Sequence, residues 1–246
     1  MDPTEVALVV AGGIAAGIVN AMAGGGSLLT VPLLTFAGLP GGVANGTNRI
    51  GVLVMNIAAA WSFRRGGISV VGRVAPVLAP TMIGSFVGAV IVSQLADDTF
   101  ERLFGLLMIP LLILSLRPPK ASVAEGATAW PRWLSVAVFS GIGFYGGAFQ
   151  AGVGLFLTLA LARSGIDLVL ANAIKVVVIL ALTAVAVPVF VVQGQIDWPF
   201  ALVLSVGFGI GGALGARIAV RGGERVIRPV LVGAVVALAL RMIGVW

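Results

Sequence analysis

Residues 17–51, GIVNAMAGGGSLLTVPLLTFAGLPGGVANGTNRIG, place three consecutive glycines and a polar Asn/Thr/Asn/Arg cluster inside otherwise apolar sequence. In a soluble chain such polarity reads as a surface loop. The composition excludes that reading: 59% of the 246 residues are hydrophobic and only 10% are charged, whereas a soluble domain carries roughly a quarter of its residues as charges to cover its surface. With a mean hydropathy of +1.14, the chain is read as an all-α polytopic membrane protein whose partner is the lipid bilayer. The net charge of +6 does not point to nucleic acid, because the basic residues sit in short clusters between apolar runs, as they do at the cytoplasmic ends of spans. There is no Cys and no His, so disulfides, thiolate chemistry and the commonest metal ligand and general base are missing. No catalytic set, metal or cofactor is expected. Asp2 and Glu5 stand where a signal peptide would carry basic residues, so the first apolar run is expected to remain as a span.

Apolar runs broken by charge, Gly or Pro fall at about 5–23, 27–38, 43–62, 74–95 and 99–116, and again at about 133–150, 153–164, 169–192, 199–219 and 226–243. The second run of each set is too short to span. A helix rises about 1.5 Å per residue, so a dozen residues cover about half of a roughly 30 Å hydrocarbon core. Each set therefore begins with a helical hairpin broken by glycine. The polar linker RPPKASVAEGATAW separates a first unit, 1–116, from a second, 133–246, with residues 117–132 as a cytoplasmic connection.

The two sets repeat without a gap when residue i is laid on i + 127: Gly25 falls on Gly152, Leu28 on Leu155, Ala44-Asn45 on Ala171-Asn172, Gly84 on Gly211 and Gly88-Ala89 on Gly215-Ala216. Arginine clusters at 64–73, 117–132 and 217–228 mark the inside, and the acidic loops at Asp97, Asp98 and Glu101 and at Asp197 the outside. Each set then crosses an odd number of times, giving two inverted-topology repeats of five segments, as in many secondary transporters. Both termini are expected outside, although Arg241 lies near the carboxyl end. Gly84 and Gly88 have the small-xxx-small spacing of close helix packing.

Gly24, Gly25 and Gly26 interrupt the first hairpin, and Gly152 and Gly154 the second. Freed N–H groups at the tips of discontinuous helices are how an anion site can be built, and corresponding breaks in two repeats point to a transporter's binding site. Asn20 and Ser27 lie beside the first break and Gln150 beside the second. The start of the third segment sets Asn45, Asn48 and Arg49 at i, i+3 and i+4, and the eighth sets Asn172 and Lys175 at i and i+3. Each half thus offers an amide and a cation. A cation within a span is costly and by default functional, the alternative being that it snorkels to the interface.

The stretches GGGSLLTVPLLTFAGLPGGVANGTNR and GGAFQAGVGLFLTLALARSGIDLVLANAIK resemble the two copies of the glycine-rich motif of the TauE/SafE sulfite exporter family, also called the TSUP anion transporters. The resemblance covers nearly the whole chain. It implies an inner-membrane carrier for sulfite, sulfonates or other small anions, with Gly24, Gly25, Gly26, Ser27, Asn45, Thr47 and Asn48 as binding residues in the first copy and Gln150, Asn172 and Lys175 in the second. Lys175 stands where the repeat places Asn48, so the half-sites differ chemically. The resulting expectation is an exporter of small sulfur-containing anions working by alternating access. A channel or carrier for another organic anion, a membrane lipid enzyme and a purely structural subunit are the rival readings, and self-association into a homo-oligomer stays open.

Overall fold

The computed structural model describes residues 3–23, 26–65, 70–115, 130–163 and 168–220. Every regular element among them is an α-helix: α1 (Pro3–Ala23), α2 (Ser27–Phe36), α3 (Gly41–Arg65), α4 (Val71–Val92), α5 (Asp97–Ser115), α6 (Arg132–Ala148), α7 (Val153–Arg163), α8 (Leu168–Val192) and α9 (Trp198–Val220). The first nine expected segments each fall on one helix. The tenth, at 226–243, most of the linker, and Gly24 and Gly25 lie outside the described residues.

The short arms stay short for local reasons. After ten residues, about 15 Å, α2 ends on Gly38 at φ +94°. Leu39 N–H donates to Leu34 O (3.1 Å) and Gly38 N–H to Thr35 O (3.0 Å), the paired bonds of a helix end that needs a left-handed residue. The same device closes α8 at Gly194, φ +66°, where Gln195 N–H donates to Phe190 O (2.8 Å) and Gly194 N–H to Val191 O (3.0 Å).

Helices α3 and α8 pack on each other at the centre, α3 also on α9 and α8 also on α4. The outer pairs are α1 with α9 and α4 with α6, and each short arm lies against its hairpin partner and the central helix that follows it. Contacts fix the running directions. Gly143 and Gly147 of α6 lie on Thr81 and Ser85 of α4, so those helices are parallel; Gly13 and Gly17 of α1 lie on Leu204 and Phe208 of α9, so that pair is parallel too. The start of α3 meets the start of α5, with Gly42 N–H donating to Asp97 Oδ1 (2.8 Å), and the chain just after α8 meets the end of α4, with Gln195 Nε2 donating to Ser93 O (3.0 Å). Asp97, Asp98, Glu101 and Asp197, alongside Arg102, therefore share one end of the bundle. Arg64 and Arg65 finish α3 at the other, where the Arg65 guanidinium stacks 3.7 Å over the Trp61 ring.

The distribution of polarity is inside-out. Ile83, Phe86, Ile91, Leu106, Leu202 and Val192 face outward, Val192 being 85% exposed, while Asn45, Thr47, Asn48 and Arg49 are all 0% exposed. Water would not tolerate so broad an apolar surface, and lipid does. Among the described residues, α4 over Val74–Val92 and α8 over Leu170–Val192 are long and apolar enough to span unaided. Helix α3 is long enough, at 25 residues, but its first third is polar and is covered by protein instead of lipid.

The α4–α6 contact depends on missing side chains. A methyl on Gly88 would overlap the Phe144 carbonyl, and one on Gly147 the backbone of Ser85. Gly88→Leu is expected to cost about 3 kcal/mol or more through overpacking, lowering the thermal midpoint of the detergent-purified protein by roughly 6–12 °C. An unchanged midpoint in a scanning melt would show that α4 and α6 do not approach through these glycines.

Candidate functional site

The polar residues of α3 reach both hairpins. On one side, Asn48 Nδ2 donates to Ser27 Oγ (3.1 Å) and Asn48 Oδ1 accepts from Thr30 Oγ1, joining α3 to the start of α2. Asn20, near the end of α1, closes this tip by accepting from Gly26 N–H (3.3 Å) and directing Nδ2 at Met55 Sδ (3.5 Å). Among the described residues, helix α2 has no side-chain cap beyond that Asn20 bond to Gly26, and the positive end of its backbone dipole lies beside Ser27.

On the other side, Asn45 Nδ2 donates to Ala148 O (2.8 Å). Arg49 places Nη1 on Gly146 O (3.1 Å) and Gln150 Oε1 (2.8 Å), and Nη2 on Gly147 O (2.6 Å) and Ala148 O (3.0 Å), with its guanidinium carbon 4.5 Å from the Phe190 ring centroid. These are the last carbonyls of α6, the negative end of its dipole, which a guanidinium both satisfies and neutralises. The snorkelling alternative for Arg49 is thereby excluded, since the side chain points into the bundle. The helical offsets explain the division: Asn45 and Arg49, one turn apart, share the α6 direction, while Asn48 is about 100° away from Arg49 and faces α2.

The second tip is pinned by Gln150, a non-glycine residue at φ +64°. That left-handed conformation is strained for a side chain with a Cβ and persists only where the surroundings impose it. Here Gln150 is 2% exposed, its Oε1 is held by Arg49 and its Nε2 donates to Thr183 Oγ1 of α8 (2.9 Å). Tyr145 Oη adds a bond to Ala151 O (2.6 Å). Thr47 faces the start of α9 instead: its Oγ1 accepts from Asp197 N–H (2.9 Å), while Asp197 Oδ1 caps α9 by accepting from Phe200 N–H (3.0 Å). Asn172 and Lys175 on α8 are half-buried and make no hydrogen bond or ion pair among the described residues. An apolar cavity of about 350 Å³ between α4 and α8, lined by Phe86, Val90, Pro188 and Val192, contains none of these groups.

The family model described as "Sulfite exporter TauE/SafE" matches residues 9–242. The chain belongs to the TauE/SafE family. Among its relatives are the probable membrane transporter protein ORF9 of a Sinorhizobium species, 28% identical over 93% of this chain and 88% of that one, and the probable membrane transporter protein YfcA of Escherichia coli K12, 29% identical over 88% and 81%. A probable membrane transporter protein of Haemophilus influenzae is 28% identical over 89% and 87%. No solved structure matches. The family and these relatives are described as an exporter and as membrane transporters, not as enzymes.

In this TauE/SafE chain the structure joins Asn20, Gly26, Ser27 and Asn48 in one cluster and Asn45, Arg49 and Gln150 in another, with α3 common to both. Thr30 and Thr183 complete the clusters, and neither stands out in the sequence as a site residue. A Thr in an apolar helix ordinarily bonds back to its own backbone, as Thr81 does to Val77 O (2.6 Å) and Thr158 to Gly154 O (2.7 Å). Only its place one turn after Ser27 singles out Thr30.

Proposed function

We propose that this chain is a secondary transporter exporting small sulfur-containing anions, such as sulfite or an organosulfonate, across the plasma membrane by alternating access. The observation that carries the reading is that α3 ties both broken hairpins to one place, while Lys175 on the neighbouring α8 remains a half-buried cation without a partner among the described residues. The substrate-binding set is Asn20, Gly24, Gly25, Gly26, Ser27, Asn45, Thr47, Asn48, Arg49, Gln150, Asn172 and Lys175. Within it Arg49 cancels the carbonyl end of α6, which would otherwise repel an anion, and Lys175 supplies the charge the anion meets.

The architecture proposed is the inverted repeat, 1–116 against 133–246. In its support, α1 with α9 and α6 with α4 pack as parallel pairs, and α3 with α9 and α8 with α4 as matching contacts. The acidic end, where α1 begins, is assigned to the outside and the arginine end to the cytoplasm.

The test is uptake of labelled sulfite and of a small sulfonate into proteoliposomes containing the purified protein. Saturable uptake that is accelerated by unlabelled substrate preloaded inside is the expected result. Flux without saturation or counterflow would make the protein a channel, and absence of flux with either anion would remove the substrate class.

A further inference from the structure

Two buried polar atoms at the second tip lack a partner among the described residues: Arg49 Nε, a donor, and Asn45 Oδ1, an acceptor. They belong to neighbouring side chains. Asn45 and Arg49 stand one turn apart on α3 and converge on a single carbonyl, Ala148 O, through Nδ2 at 2.8 Å and Nη2 at 3.0 Å. Reversing the Asn45 amide does not repair the mismatch, because an oxygen would then face the Ala148 oxygen. Buried donors and acceptors are rarely left unpaired, and each exception calls for an explanation. One unpaired donor and one unpaired acceptor, on side chains that share a carbonyl, suit a guest that accepts and donates at once.

Resting on the transport reading above, we infer that the Asn45/Arg49 corner selects a hydrogen-bearing oxyanion: its O–H donates to Asn45 Oδ1 while a charged oxygen accepts from Arg49 Nε–H. Hydrogen sulfite in its O–H form meets this requirement. The sulfite dianion and sulfonates offer only acceptors, so they leave Asn45 Oδ1 facing negative oxygen. The proton then crosses on the substrate itself. That suits a chain with no His, whose central helices α3 and α8 contain no Asp or Glu. Both atoms lie inside the α3–α6 contact, so binding accompanies separation of the second tip from α3, a movement of the kind alternating access requires. A water molecule satisfies the same pair of atoms, and the measurement below separates the two.

The experiment is the apparent KM for total sulfite in wild-type proteoliposomes, at equal pH on both sides and over a range spanning the hydrogen sulfite–sulfite equilibrium, with methanesulfonate as competitor throughout. Expected is a KM that rises about tenfold per pH unit on the alkaline side, as the hydrogen-bearing form disappears. Methanesulfonate should compete at least about tenfold more weakly than sulfite at low pH; it does not itself titrate, so any pH dependence of its inhibition constant reports titration of the protein and is divided out of the sulfite KM. A KM indifferent to pH, or methanesulfonate binding as well as sulfite, would overturn the inference and assign the pair to water while leaving transport intact. No uptake at any pH would overturn both readings. Asn45→Leu, checked for folding by size exclusion, should lose the preference for sulfite over methanesulfonate; a folded variant that keeps the wild-type preference would refute the assignment, and if the variant does not fold the wild-type profile decides.

Discussion

Lys175→Ala is expected to lower sulfite uptake by at least about 30-fold while the protein remains folded and monodisperse. The lysine is half-buried in α8 and makes no hydrogen bond or ion pair among the described residues, so its removal leaves no internal partner unsatisfied. What is lost is the attraction for the substrate's charge. Truncating one member of a desolvated charge pair costs about 2–5 kcal/mol, and the lower limit already corresponds to that factor. Lys175→Arg should restore part of the activity by retaining the charge. Initial rates in proteoliposomes, with a thermal melt of the same preparation, decide the matter. Unchanged uptake in a folded Lys175→Ala protein would move the anion site away from α8.

Arg49→Met should behave in the opposite way, losing the fold before it loses any particular substrate. Its four donated hydrogen bonds terminate on Gly146, Gly147, Ala148 and Gln150, and water does not reach the site to replace them. Breaking a buried, hydrogen-bonded charge arrangement costs about 3–5 kcal/mol, which corresponds to a drop in thermal midpoint of roughly 6–20 °C. Arg49→Lys is no substitute, because a point charge cannot fork across successive carbonyls. A normally stable Arg49→Met protein with reduced transport would show that the arginine does not hold the second tip and acts on the anion alone.

These two cations illustrate what could be read from the chain directly. An intramembrane Arg and an intramembrane Lys, each following an Asn by one turn, look equivalent on paper because the cost of burying either is similar. The structure separates them through residues a hundred positions away: carbonyls at 146–148 surround Arg49, whereas nothing among the described residues engages Lys175. Likewise, i, i+3, i+4 spacing groups Asn45, Asn48 and Arg49, but a helix surface is round, and with hairpins on two sides the set divides between them. The depth of the tips was also hidden. Residues near the start of α3 belong near one face of the membrane by position alone, and they come to matter because the arms α2 and α7, of ten and eleven residues, stop part-way across.

The sequence by itself determined the solvent, the helical segments and the halving of each hairpin, because these depend on local quantities: apolar length against bilayer thickness, glycine where a left-handed turn is required, and charge at the segment ends. Only the tertiary structure decided which buried polar groups satisfy one another. In a lipid-facing bundle every such group needs a partner supplied from inside the protein, and that partner comes from whichever helix the packing brings alongside.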